Sequence, residues 1–237
     1  MSMNTVPVRK HFNEELEDLR ERVIYMGGLV ETAIHHSLRA VLHRDVELAE
    51  TVVAELEPEI NRLEVEVDHS ALRLMALQQP MAVDLRFVAA ALKIGNDLER
   101  MGDLAVNISQ GASRLLQLPL ASLSVDLPLM AERAGRMLHT ALDALMTRDA
   151  NLARSVLTSD DEVDQMRDLI YRQLIQSMAS DSAEVERSLG FMFIARNLER
   201  IADHATNIAE DVIFWVEGVD VRHHFAQPPA SPPANQP

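Results

Sequence analysis

Apolar residues recur along this chain at steps of three and four, the spacing that lines one face of an α-helix. Over 12–43 the series Leu16, Leu19, Val23, Met26, Val30, Ala33, Ile34 and Leu38 keeps that step and predicts a first long helix, broken at Arg44-Asp45. Asp45 carries a short carboxylate suited to the free amides of a helix start, so a short helix to about residue 55 should follow it. Glu57-Pro58 then restarts the chain with proline in a first turn. Ile60, Leu63, Val67, Ala71 and Leu74 carry that second helix to about Gln78, and a third runs from after Pro80 to about Leu116 on a stripe of Ile94, Leu98, Met101, Ala105 and Ile108.

After a linker marked by Pro119 and Pro128 the pattern begins again. A helix reaches about Thr147, Arg148-Asp149 repeats the Arg44-Asp45 break, and Leu152 and Ala153 follow it as Leu48 and Ala49 follow the first. Val163, Met166, Ile170 and Leu174 mark a counterpart of the second helix, and a last helix should span about 183–216. The closest internal match is Leu98-Glu99-Arg100-Met101-Gly102-Asp103-Leu104-Ala105-Val106-Asn107-Ile108 against Leu198-Glu199-Arg200-Ile201-Ala202-Asp203-His204-Ala205-Thr206-Asn207-Ile208, with seven of eleven positions identical. The chain therefore reads as all-α: two tandem three-helix bundles related by pseudo-two-fold symmetry, over 12–117 and 124–217. The proline-rich tail at 227–237 is expected to be disordered.

Apolar identities in the repeat follow from a shared core, but Glu, Arg, Asp and Asn identities need another reason. With Leu98 at zero, Glu99, Asp103 and Asn107 fall at roughly 100°, 140° and 180° around the helix, away from the apolar stripe near roughly 320°. Glu199, Asp203 and Asn207 repeat that arrangement. Oxygen donors one turn apart suit hard cations such as Mg²⁺, Ca²⁺, Mn²⁺ or iron, with Zn²⁺ also open. One helix seldom completes a coordination shell, so Glu64 and Asp68 on the second helix, and Asp164 and Asp168 on its counterpart, are candidate further ligands, although those two pairs are slightly out of register. The competing reading is a solvated face on which Arg100 pairs with Asp103 and Arg200 with Asp203.

Composition narrows the function. A formal charge of -15 disfavours nucleic acid, which needs a basic face. The absence of cysteine removes disulfides and thiolate sites and fits the cytoplasm, and neither a signal peptide nor a membrane span is expected. Glu66 to His69 is an isolated ExxH, and His204 reads as a solvated histidine where the first block has Leu104. His35-His36 and His223-His224 read as surface residues. With no nucleophile elbow or phosphate-cradling glycine loop, no catalytic residue is expected.

The repeated LER-x-x-D-x-x-x-NI block, the lead-in Gln79-Pro80-Met81-Ala82-Val83-Asp84-Leu85-Arg86 and the ending Val216-Glu217-Gly218-Val219-Asp220-Val221-Arg222-His223-His224 together resemble the PhoU family of phosphate-uptake regulators. That resemblance implies a two-bundle fold, frequent homodimers, and in some members multinuclear metal clusters on paired E(D)xxxD motifs, here Glu99 with Asp103 and Glu199 with Asp203. It also implies a non-enzymatic negative regulator that links the ATP-binding subunit of a phosphate ABC transporter to a phosphate-sensing histidine kinase. A carboxylate-metal phosphohydrolase and a metal-free helical adaptor are the alternative functions. The second half departs from the lead-in, with Glu184-Val185-Glu186 in place of Asp84-Leu85-Arg86.

Overall fold

The computed structural model describes residues 6–119 and 125–222, and among these there is no strand. The expected disorder at 227–237, and His223-His224, lie outside the described residues. Helix α1 spans Val6–His43, α2 Val46–Thr51, α3 Glu57–Gln78 and α4 Val83–Leu115. The second set is α5 Leu127–Thr147, α6 Ala150–Leu157, α7 Asp160–Ser180 and α8 Val185–Glu217, the last entered through a 3₁₀ turn at Ser182–Glu184.

Both breaks follow the same local logic. Arg44 and Arg148 each take a left-handed backbone conformation, at φ 56° and 57°. The following Asp45 and Asp149 then cap α2 and α6 by accepting the amides of Leu48 (3.2 Å) and Leu152 (3.1 Å). Beyond these caps the halves diverge. The restart expected at Glu57-Pro58 does not occur. Val52–Leu56 form a π-helical turn that carries α2 straight into α3, and Pro58 sits inside the resulting continuous helix.

The π turn absorbs one extra residue. Buried Val52 corresponds to buried Val156, whereas buried Ile60 corresponds to buried Val163. Eight residues thus separate two core positions in the first half where seven separate them in the second. A π turn swallows such an insertion while keeping the apolar face of α3 on the core.

Helices α1, α3 and α4 pack as one bundle, α5, α7 and α8 as the other, and one continuous apolar cluster runs through both. Its centre is the seam between α4 and α8. They run antiparallel, since Lys93 meets Asp211 and Asp97 meets His204 while Gly111 lies against Ile194. At the Leu115 end the side chain of Leu115 packs directly on the backbone of α8: a Cβ on Gly190 would sit 2.7 Å from Leu115 Cδ2. Leu98, Met101, Ala105 and Ile108 and their counterparts Leu198, Ile201, Ala205 and Ile208 are all fully buried along this seam and its bundles. Among the described residues no helix is long and apolar enough to cross a membrane.

Candidate metal-binding faces

In each bundle the acidic block of the third helix lies beside the second helix, on the flank of the core. Glu99 is half-buried, with a quarter of its side chain exposed, and Asp103 one turn on is more open. Burial raises the Glu99 carboxyl above its ordinary value, the like charge of Asp103 adds to this, and Glu64 and Glu57 on α3 push the same way against the single opposing charge of Arg100. That arginine is itself exposed and stands 3.5 Å from Glu99 and 3.6 Å from Asp103, contacts too long for good hydrogen bonds. Between Glu57 and Glu64 on α3 lies Asn61, whose Nδ2 donates to Glu57 at 2.6 Å. Its Oδ1 is buried and has no hydrogen-bond partner.

The second face is built on Asp160, Asp164, Glu199 and Asp203. Asp203 stands exposed on α8, yet the protein around it and the charges of Glu199, Asp160 and Asp164 push its carboxyl up to about 6. Asp160 is raised by burial first and Asp164 next, against a 3.4 Å hydrogen bond from Thr206. One cation enters this group. Arg167 Nη1 lies 2.6 Å from Glu199 Oε1 and 3.2 Å from Asp164 Oδ1, and Arg167 Nη2 reaches Asp168 at 2.9 Å.

The sequence-predicted residues divide accordingly. Glu64, Glu99 and Asp103 come together, as do Asp164, Glu199 and Asp203. Asp68, one turn beyond Glu64, is not among the carboxylates that act most on Glu99. Asp168 is 64% exposed and tied to Arg167. The poor register noted between Glu64/Asp68 and Asp164/Asp168 arises because buried Val67 and Ile94 stand three residues further apart in the chain than their counterparts Ile170 and Ile194. Past that turn the true correspondences are Glu57 with Asp160, Asn61 with Asp164 and Glu64 with Arg167. Glu57, Asn61, Asp160 and Arg167 escaped sequence reading because an offset taken from α4 and α8 misaligns α3 and α7 by three residues.

Asn207 leaves the stripe, donating to Asp97 Oδ1 of the other bundle at 3.3 Å, while Asn107 is half-buried. His204 is not the solvated residue expected, because its Nδ1 meets the same buried Asp97 oxygen at 2.7 Å. The helical advance from Asp203 turns both side chains toward α4. The pair is not repeated by symmetry: Leu104 stands in place of His204, and Asn197, in place of Asp97, donates to Phe193 O within its own helix at 2.7 Å. His36, expected at the surface, is half-buried with an unpartnered Nδ1, and burial, then the neighbouring His35, lowers its pKa.

In their present rotamers no three His, Asp or Glu side chains among the described residues converge closely enough to hold a metal ion. The donor chemistry of the first face nevertheless fits a hard cation. It has four carboxylates, a buried orphan amide oxygen and no well-placed cation of its own. The second face has the carboxylates but already holds Arg167.

A family model described as the PhoU domain matches residues 23–112 and 127–212, once on each bundle. This chain belongs to the PhoU family. A phosphate-specific transport system accessory protein PhoU homolog from Zymomonas mobilis is 42% identical over 88% of either chain. The Escherichia coli K12 protein called phosphate-specific transport system accessory protein PhoU is 36% identical over 93% of each. The crystal structure of PhoU from Pseudomonas aeruginosa superposes with a TM-score of 0.85 at 37% identity, covering 88% of this chain and 100% of that one. PhoU from Streptococcus pneumoniae gives 0.81 at 29% identity, over 89% and 99%.

The family's lead-in also acquires a structural role that sequence reading missed. Arg86 Nε donates to the carbonyl of Trp215 at 3.1 Å, closing the last turn of α8 just before Gly218 (φ +74°). Arg44 does the same for α4, donating to Leu116 O at 2.6 Å and Leu118 O at 3.1 Å. Each helix of the seam thus has its orphan terminal carbonyls met by an arginine from elsewhere in the fold.

Proposed function

We propose that this chain is a non-enzymatic, cytoplasmic accessory protein of phosphate uptake that restrains both uptake and the phosphate-starvation response. It does so by docking on the ATP-binding subunit of the phosphate ABC transporter and on the associated histidine kinase, as a homodimer. The observation that carries this reading is the family match on both bundles, with relatives named as transport-system accessory proteins over most of their length. The antiparallel seam supports it, since a rigid two-bundle body offers separate surfaces to two partners.

Within that role the first bundle holds a hard cation such as Mn²⁺, Fe, Mg²⁺, Ca²⁺ or Zn²⁺ through Glu57, Glu64, Glu99 and Asp103, with Asn61 Oδ1 as a neutral donor. A bound cation would supply positive charge to an otherwise acidic face, the sign needed to receive an anion such as phosphate. The carboxylates and Asn61 would hold and orient it. Pull-down of the transporter subunit and the kinase by the full chain tests the docking. A deletion strain that keeps starvation genes repressed in high phosphate, together with no retention of either partner, would sink the reading. Metal-dependent phosphate-ester hydrolysis lost in Glu99→Gln/Asp103→Asn would favour the phosphohydrolase alternative.

A further inference from the structure

We propose that Arg167 is the resident cation of the second acidic face, so that this face closes on a side chain where the first is left open for a metal ion. The contrast rests on the cation-binding reading of the first bundle, and the experiment below separates the two.

The argument begins with register. Because the π turn at Val52–Leu56 takes up one residue, Ile60 stands opposite Val163 in the repeat, and the position of Glu64 is therefore that of Arg167. A carboxylate in one bundle is replaced by a guanidinium in the other at one geometric point, on the second helix beside the repeated carboxylates of the third. The neighbours change with it. Asn61, whose Oδ1 is buried and unpartnered, is replaced by Asp164, whose Oδ1 is 3.2 Å from Arg167.

Geometry makes Arg167 more than a surface ion pair. Its side chain is 24% exposed, and its nitrogens collect carboxylates on two helices: Glu199 at 2.6 Å on α8, with Asp164 at 3.2 Å and Asp168 at 2.9 Å on α7. Guanidinium offers five donors in a rigid fork, has no acceptor and keeps its proton at any ordinary pH. A metal ion reaching Glu199 and Asp164 would have to displace it, against the repulsion of two cations and with the loss of its contact to half-buried Glu199. In the first bundle the nearest arginine, Arg100, lies outside at 3.5 and 3.6 Å and blocks nothing.

Mn²⁺ titration of the full chain, read by electron paramagnetic resonance and elemental analysis, tests this. Arg167→Gln should bind one further Mn²⁺ per chain than the unmodified protein, and adding Asp203→Asn should remove it. Arg167→Lys, which keeps the charge, should gain none. No gain in a helical Arg167→Gln protein, or a fall in Mn²⁺ binding when Asp203→Asn is made alone, overturns the proposal. If Arg167→Gln fails to fold, the mirror change decides. Glu64→Arg should depress Mn²⁺ binding well beyond Glu64→Gln, and equal effects would count against a blocking guanidinium. Mn²⁺ binding untouched by Glu99→Gln/Asp103→Asn would remove the first-bundle reading while leaving the Arg167→Gln result to stand by itself.

Discussion

The two bundles have the same apolar frame and set different charges on it. Leu98, Met101, Ala105 and Ile108 are matched position for position by Leu198, Ile201, Ala205 and Ile208, all buried. Beside them the first face crowds Glu57, Glu64, Glu99 and Asp103 near an unpartnered amide oxygen, and the second, which also holds Asp160 and Asp203, ties Arg167 to Asp164, Asp168 and Glu199. The seam differs likewise, since His204 and Asn207 hold Asp97, whereas their counterparts are Leu104, which has no polar group, and Asn197, which donates within its own helix. Packing constrains volume and hydrophobicity at every core position, so a duplicated frame stays symmetric. Charge on the flank is constrained only by its neighbours, so the exchanges of Glu64 for Arg167 and of Asn61 for Asp164 give the two faces different chemistry.

Core truncation should show the symmetric side of the comparison with the largest effect. Leu98→Ala and Leu198→Ala each remove a side chain with no exposure, and each should lower unfolding free energy by about 2–5 kcal/mol in urea titrations. A marked inequality would mean that the seam is packed less evenly than the burial indicates. On the flank the bundles should part company. Arg167→Gln strands half-buried Glu199 and should cost about 1–2 kcal/mol after discount for its partial exposure, whereas Glu64→Gln relieves repulsion and should be neutral or stabilising. The same urea titrations read both.

At the seam, His204→Leu copies the first bundle and leaves buried Asp97 with Asn207 alone at 3.3 Å. A loss of about 1 kcal/mol is expected, set against little change for Leu104→Met. The smallest effect belongs to Asp203. Its carboxyl is raised from 3.8 to about 6, so the folded state binds the proton more tightly than the unfolded chain. The contribution of this group to stability is therefore present at low pH and declines as pH rises through the interval from 3.8 to about 6. Asp203→Asn should raise the melting temperature slightly at pH 7.5 and leave it unchanged near pH 3.5, as followed by calorimetry. An Asp203→Asn protein less stable than the original at pH 7.5 would show a favourable role for the charge that the crowded carboxylates do not explain.

Much of this was legible in the chain itself. The three- and four-residue steps of Leu16 to Leu38 and of Ile94 to Ile108 identify helices because only one face of each is buried. The Arg44-Asp45 and Arg148-Asp149 breaks were visible because capping is local, needing one carboxylate and the amides two and three residues on. The candidate residues on α4 and α8 could be named because those helices repeat at a constant offset of 100.

On α3 and α7 that offset found Glu64 and Asp164 but missed Glu57, Asn61, Asp160 and Arg167. Whether an extra residue becomes a loop, a break or a π turn depends on which choice keeps Ile60, Leu63 and Val67 against the core, and that is a property of the packed bundle. The same limit applied to His204 and Asp97, 107 residues apart, which meet only because two helices run antiparallel across the seam. Sequence by itself thus determined the helices, their caps and the duplication, all governed by neighbours within a turn or two. The tertiary structure alone decided which charges face one another, because Coulomb and hydrogen-bond energies depend on distances through space that no periodicity along the chain encodes.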